Sequence, residues 1–277
     1  MSALLVAADL LREARSRRWT LALAGAVTLV LAAVAVGLRL EVVDGALAAT
    51  RLFGGSLDTD IRSVDVALRP FFAATSWLVF FGGTVFGVVA VSDFAPSMLA
   101  PGRVESLLAL PVRRWQLLLG TFLGVEALVL GGAVYGGGGM TLLLLAKTGV
   151  WNPGPVLAAA MAALAFAPIY AVMLGAALLV RSAALSAAAG FLLLLAGVVA
   201  GERGPIASAF EPGTARAVFL ALTAPLPRLT ALARAASDLA QAKPVAAGPF
   251  LGSALGAALF ASAALSLAAA RFERKDF

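Results

Sequence analysis

Catalysis at neutral pH calls on side chains that exchange protons there, or on nucleophiles and metal ligands, and this chain is poor in all of them. Its 277 residues contain no Cys and no His. Without Cys there is no disulfide framework, no thiolate and no Cys-based metal site. Without His the commonest general base and the commonest transition-metal ligand are missing. The sequence has no Gly-x-x-x-x-Gly-Lys-[Ser/Thr] phosphate loop, no Gly-x-Ser-x-Gly and no His-Glu-x-x-His. Asp58, Asp60 and Asp65 come nearest to a metal-ligating run, but the loop glycine and terminal Glu of an EF-hand are absent, so a solvated loop is expected. The chain reads as a non-enzyme.

Two places still carry polar chemistry. Glu126 is the one ionisable residue inside any long apolar run. An intramembrane carboxylate marks a functional site by default, and Glu126 is a candidate for a translocation path. A carboxyl group simply packed against a neighbouring helix is the competing explanation. The second place is the charged stretch 93–115, DFAPSMLAPGRVESLLALPVRRW, which lies between two apolar runs. It holds Arg103, Glu105, Arg113 and Arg114 and a short amphipathic segment, 103–110, too polar to cross a bilayer.

The elements that position these residues follow from composition. The chain is 61% hydrophobic and 13% charged, whereas soluble domains carry roughly 25% charge. The apolar residues gather in blocks near the ~20 residues that cross a bilayer core. Spans are expected at 20–38, 71–92, 116–146, 155–180, 183–200 and 248–270, giving one transmembrane domain over 1–277. The fold class expected is all-α and integral to the membrane. A net charge of +6 does not point to nucleic acid, because the basic residues cluster at the ends of apolar runs, where they set topology and meet anionic lipid.

Residues 2–18 place Val6, Ala7, Leu10, Leu11 and Ala14 on one helical face and Asp9, Arg12 and Glu13 on the other, as in an interfacial amphipathic helix. The segment 39–70 carries four Arg against five Asp or Glu, with short alternating apolar residues, and suits an outer loop. The run 116–146 is too long for one straight crossing, and Gly131–Gly139, six of whose nine residues are glycine, is the expected break. Pro168 predicts a kink in the fourth span. The segment 201–246 is divided by Pro205, Pro212, Pro225, Pro227 and Pro244 into short helical pieces, 214–223 and 229–241, able to dip into the outer leaflet. Arginines at 12–18 and 113–114 and the basic tail 271–275 place both termini inside by the positive-inside rule.

Residues 102–120, GRVESLLALPVRRWQLLLG, resemble a segment of the membrane subunits of type-2 ATP-binding-cassette exporters, the six-span permeases of bacteria. There a glycine, an acidic residue, a leucine pair, Pro-Val, a basic residue and Leu-Gly follow the second span. The amphipathic amino terminus, the basic tail and the Pro-broken region before the last span agree in layout, and that region would hold short re-entrant helices. The resemblance implies that 94–115 contains a coupling helix docking on a separate ATPase subunit, with Glu105, Leu107, Leu108, Pro111, Arg113 and Arg114 as contacts. It further implies a second permease copy, ATP and Mg held by the partner ATPase rather than by this chain, residence in the bacterial inner membrane, and room for a periplasmic partner. Ser92-Asp93-Phe94-Ala95-Pro96 adds a proline to that family's pattern at the start of the coupling segment. An ATP-independent carrier or lipid scramblase, and a structural anchor for another complex, are the alternative expectations.

Overall fold

A backbone inside a bilayer has no water to bond with, so an apolar run that enters it closes its own N–H and C=O groups as helix. The computed structural model describes residues 3–16, 18–43, 46–52, 55–58, 62–100, 102, 113–149 and 151–274. Among them five helical stretches are long and apolar enough to cross a membrane: Arg69–Met98, Arg114–Lys147, Gly154–Val180, Ala183–Gly201 and Ala247–Glu273. The chain is a multi-pass, predominantly helical membrane protein.

The amino terminus forms α1 (Ala3–Ser16) and α2 (Arg18–Gly37), the latter 20 residues long. The outer loop expected at 39–70 is built otherwise. Its backbone forms β1 (Leu38–Val43), β2 (Ala46–Leu52), β3 (Gly55–Asp58) and β4 (Arg62–Ser63). All pairings are antiparallel, in the order β1-β2-β3, with β4 also against β2. Alternation of short apolar residues is a period-two pattern, which a strand satisfies and a helix does not. The all-α expectation therefore holds for the membrane part and not for this sheet.

The second apolar run is longer than expected. It starts in α3 (Val64–Trp77), widens into a π-turn at Leu78–Gly82, and continues as α4 (Gly83–Val91) and the short α5 (Phe94–Met98). Helix α6 (Arg114–Thr148) then runs 35 residues without interruption, about 52 Å at 1.5 Å per residue. The break expected at Gly131–Gly139 does not occur. Glycine weakens helices in water chiefly because its backbone has more conformational freedom to lose; in an apolar setting an opened backbone group finds no water to bond, which offsets that cost. Pro168 likewise sits inside an unbroken α7 (Gly154–Val180).

Helix α7 is the axis of the bundle. It packs against α6, α8 (Ala183–Gly201), α11 (Leu229–Ala240) and α12 (Ala247–Glu273), and Phe166, Ile169, Tyr170, Met173 and Leu174 on it are fully buried. Between α8 and α12 lie α9 (Arg203–Ser208), α10 (Thr214–Thr223) and α11. On α11, Leu229, Leu232, Ala233, Ala236 and Ala240 are buried, so this helix belongs to the bundle. Its far end is tied to the start of α7, where the Asn152 side chain donates to the Ala240 carbonyl at 2.9 Å and accepts from the Gly154 amide at 2.8 Å.

Close approach of α6 and α7 depends on one glycine. A Cβ on Gly137 would lie 2.8 Å from the Pro155 carbonyl oxygen and 2.8 Å from Ala159 Cβ, whereas one on Gly138 would meet nothing within 4 Å. Gly137→Ala is expected to force the helices apart at a cost of about 1–3 kcal/mol. Gly138→Ala, whose added methyl meets nothing, should leave stability within about 0.5 kcal/mol of wild type. Thermal unfolding of both variants in one detergent checks the pair, and equal effects would contradict the packing.

Candidate functional site

The polar positions singled out by sequence fall mostly on α6 and its amino-terminal approach. Glu105, Leu107, Leu108 and Pro111 lie outside the described residues, while Arg113, Arg114 and Glu126 are within them. What the structure supplies is the anchorage on either side of residues 100–112.

Upstream, the first part of the expected coupling stretch 94–115 is already committed to the bundle. Phe94, Ala95, Met98 and Leu99 are buried, and α5 packs against α7 and α8. The surface offered to any partner therefore starts beyond Leu99. Burial follows from composition, since Phe94, Ala95 and Met98 are apolar and Pro96 lacks an N–H to satisfy.

Downstream, α6 is held from three directions within its first two turns. At its tip Arg113 is extended and exposed, and its backbone amide donates to Gln116 Oε1 at 3.1 Å. The neighbouring Arg114 reaches across to the end of α12, where Nη1 lies 3.3 Å from the carbonyl oxygens of both Phe272 and Glu273. These carbonyls lie in the last turn of α12, where a cation also meets the negative end of the helix dipole. Arg114 thus has a structural role that sequence could not assign. Two turns on, the buried Thr121 hydroxyl lies 3.0 Å from Met98 Sδ and 2.9 Å from the Leu117 carbonyl, joining α5 to α6.

The third hold is α1. Its Ala7, Leu10 and Ala14 are buried as the amphipathic pattern predicts, but they lie on protein. A Cβ on Gly120 would sit 2.5 Å from Val6 Cβ and 2.7 Å from the Ala3 carbonyl oxygen, and one on Gly124 3.2 Å from Ala7 Cα. Paired small residues let two backbones approach this closely. Leu4 and Leu5 remain exposed on the other side of α1, at 71% and 52%, and are free to enter the interface.

Further along α6 lies Glu126. Phe122, one turn before it, stacks on Tyr170 of α7 with centroids 6.2 Å apart, and Phe166 stacks on the other side of Tyr170 at 6.2 Å. Glu126 is within electrostatic reach of Tyr170. Glu126 Oε1 and the Tyr170 hydroxyl are both buried without a hydrogen-bond partner among the described residues, an arrangement costing about 1–3 kcal/mol per group. Sequence reading named Glu126 and missed Tyr170. The available signal was that the chain has only two tyrosines; the other, Tyr135, bonds Thr28 of α2 at 2.7 Å. No group of three or more His, Cys, Asp or Glu is placed to hold a metal among the described residues.

Arg114→Ala is expected to speed amide exchange in the last turn of α12 by about fivefold, from the loss of bonds worth about 1 kcal/mol. Arg113→Ala should leave that turn unchanged. Hydrogen exchange read by mass spectrometry distinguishes the two, and equal behaviour would remove the capping role of Arg114.

Comparison with protein-family models and with curated proteins gives no match, so the functional reading rests on the chain's own residues and geometry.

Proposed function

We propose that this chain is the permease subunit of an ATP-driven exporter, forming the membrane path and moved by a separate ATPase subunit that docks on residues 100–115. The observation that carries the reading is the anchorage of that segment. Its upstream end is buried against α7 and α8, and its downstream end is gripped by α1, by Met98 and by the Arg114 contact to α12. A push delivered between those anchors reaches α6, α7 and α12 together. Resemblance of residues 102–120 to type-2 exporter permeases supports the same direction.

In this reading α2 serves as the sixth span, both termini face the cytoplasm of a bacterial inner membrane, and two copies pair, each with its ATPase. Glu105, Leu107, Leu108, Pro111 and Arg113 supply the contact, while Arg114 passes the displacement to α12. ATP and Mg are handled by the partner. Nucleotide does mechanical work only if it binds the two permease conformations with different affinity through this contact. The Pro-broken pieces before the last span would be the short re-entrant helices that the resemblance implies, with room for an outer-side partner, and the sparse polarity of the spans suits a lipidic or amphipathic cargo.

The buried Glu126 Oε1 and Tyr170 hydroxyl, without partners among the described residues, favour a second reading, an ATP-independent carrier or scramblase, because a carboxyl group within a span is what ion coupling requires. A structural anchor for another complex would need neither that pair nor the anchored segment.

Glu105→Ala with Arg113→Ala is expected to lower ATP-driven transport in proteoliposomes by about 5- to 150-fold, the usual range of a coupling free energy, with membrane insertion unchanged. Full transport by the double variant would remove the assigned contacts. Glu126→Gln is expected to slow transport by about tenfold if the carboxyl group lies on the path, one lost interaction of ~1.4 kcal/mol. An unchanged rate would leave Glu126 as a packing residue.

A further inference from the structure

A cation stands at the opposite end of the bundle, and nothing in the exporter reading uses it. Arg228 precedes α11 at the turn Ala224-Pro225-Leu226-Pro227, and its side chain is exposed. It lines a cavity of about 250 Å³ shared with Leu226 and with Gly252, Ser253 and Gly256 of α12. Position along α12 sets the depth. Gly252 and Gly256 lie about 8 and 14 Å from the start of that helix at 1.5 Å per residue, on the end remote from the Arg114 contact at Phe272 and Glu273. The cavity therefore opens where a bilayer's headgroups give way to hydrocarbon.

The chemistry of the walls is lopsided. No hydrogen bond or ion pair holds the Arg228 side chain among the described residues; the Glu202 carboxylate pairs with Arg234 instead. Pro225 and Pro227 have no N–H to offer, and the Ser253 hydroxyl donates to the Pro249 carbonyl at 2.9 Å. Positions where a Cβ would stand on Gly252 and Gly256 have nothing within 4 Å, so the floor is bare backbone. Beside it Leu251, Leu255 and Leu259 are 54%, 61% and 70% exposed. An unpaired guanidinium above an open apolar helix face selects a ligand with an anionic head and hydrocarbon tails.

We propose that this cavity binds the headgroup of an anionic phospholipid, with Arg228 holding the phosphate and the acyl chains lying along the exposed leucines of α12. Arg meets phosphate with two parallel N–H donors, a charge-assisted pairing stronger than neutral hydrogen bonds. The cavity is smaller than the roughly 300–1,000 Å³ of pockets that enclose a drug-sized ligand; it takes a headgroup and leaves the tails outside. A second copy of the chain is a poorer fit, since covering this face with protein would bury an unpaired charge. The proposal is independent of the exporter reading and stands on Arg228 and α12 alone.

Native mass spectrometry of the full-length chain, released from detergent after addition of phosphatidylglycerol or phosphatidylcholine in equal amounts, tests it. Wild type is expected to hold phosphatidylglycerol about tenfold more tightly than phosphatidylcholine. Arg228→Gln should abolish the preference, and Gly252→Leu should do the same by filling the cavity while keeping the charge. Arg271→Gln with Arg274→Gln, at the other end of α12, should preserve it. Undiminished phosphatidylglycerol binding in R228Q or in G252L would overturn the proposal. So would displacement of the lipid by millimolar inorganic phosphate, which identifies a free-anion site. Loss of lipid only in step with a change from dimer to monomer would also overturn it, assigning the face to a second copy.

Discussion

Helices in a bilayer gain nothing from leaving lipid for one another, because lipid tails are as apolar as leucine; what holds them together is closeness of packing. The whole bundle depends on how nearly backbones approach α7. Small residues make that approach possible, as where Gly137 lets α6 settle against the first turn of α7. Large side chains then fill the remaining space around the axis, with Phe166, Ile169, Tyr170 and Met173 buried completely. Hydrogen bonds that cross between elements carry positional information. Asn152 with Ala240, Tyr135 with Thr28, and Arg114 with the end of α12 fix three different junctions.

Helix α6 connects the two polar regions. Its first turns meet α1, α5 and α12, and its middle carries Glu126 toward the Phe122–Tyr170–Phe166 stack. An unbroken helix transmits displacement along its length, which a glycine hinge at Gly131–Gly139 would absorb. The absence of that hinge lets motion at Arg113 pass Glu126 and reach the contact of Gly137 with the start of α7. The α1 contact at Gly120 and Gly124 makes the amphipathic helix part of the same unit, with Leu4 and Leu5 facing outward.

Much of this was legible in the residues themselves. Hydrophobic runs of spanning length coincide with the five long apolar helices, the second of which continues to Met98, past the expected end at 92, and the spacing of Ala7, Leu10 and Ala14 identified the buried face of α1. Local rules failed where the environment differs from the one they were measured in. Glycine's low helix propensity belongs to water, and Gly131–Gly139 is helical because apolar surroundings offer its backbone no other partner. Other misses concern distance along the chain. Nothing near Arg114 signals that its partners are the carbonyls of Phe272 and Glu273, some 158 residues away. Tyr170 sits in a run that reads as uniformly apolar, and its relation to Glu126 exists only once α6 lies on α7. The sheet at 38–63 was present as alternation in the sequence but was outweighed by the helical character of everything around it.

The central claim, that an ATPase drives this chain through the segment anchored between Leu99 and Arg113, has a direct test. The tagged chain is extracted from its own membrane in mild detergent, captured, and assayed for copurifying ATP hydrolysis. The account predicts an ATPase subunit bound in stoichiometric amount, released when a crosslinkable residue placed at Glu105 is blocked beforehand. A homogeneous chain without any ATP hydrolysis, still able to move lipid or ions in vesicles, would contradict it.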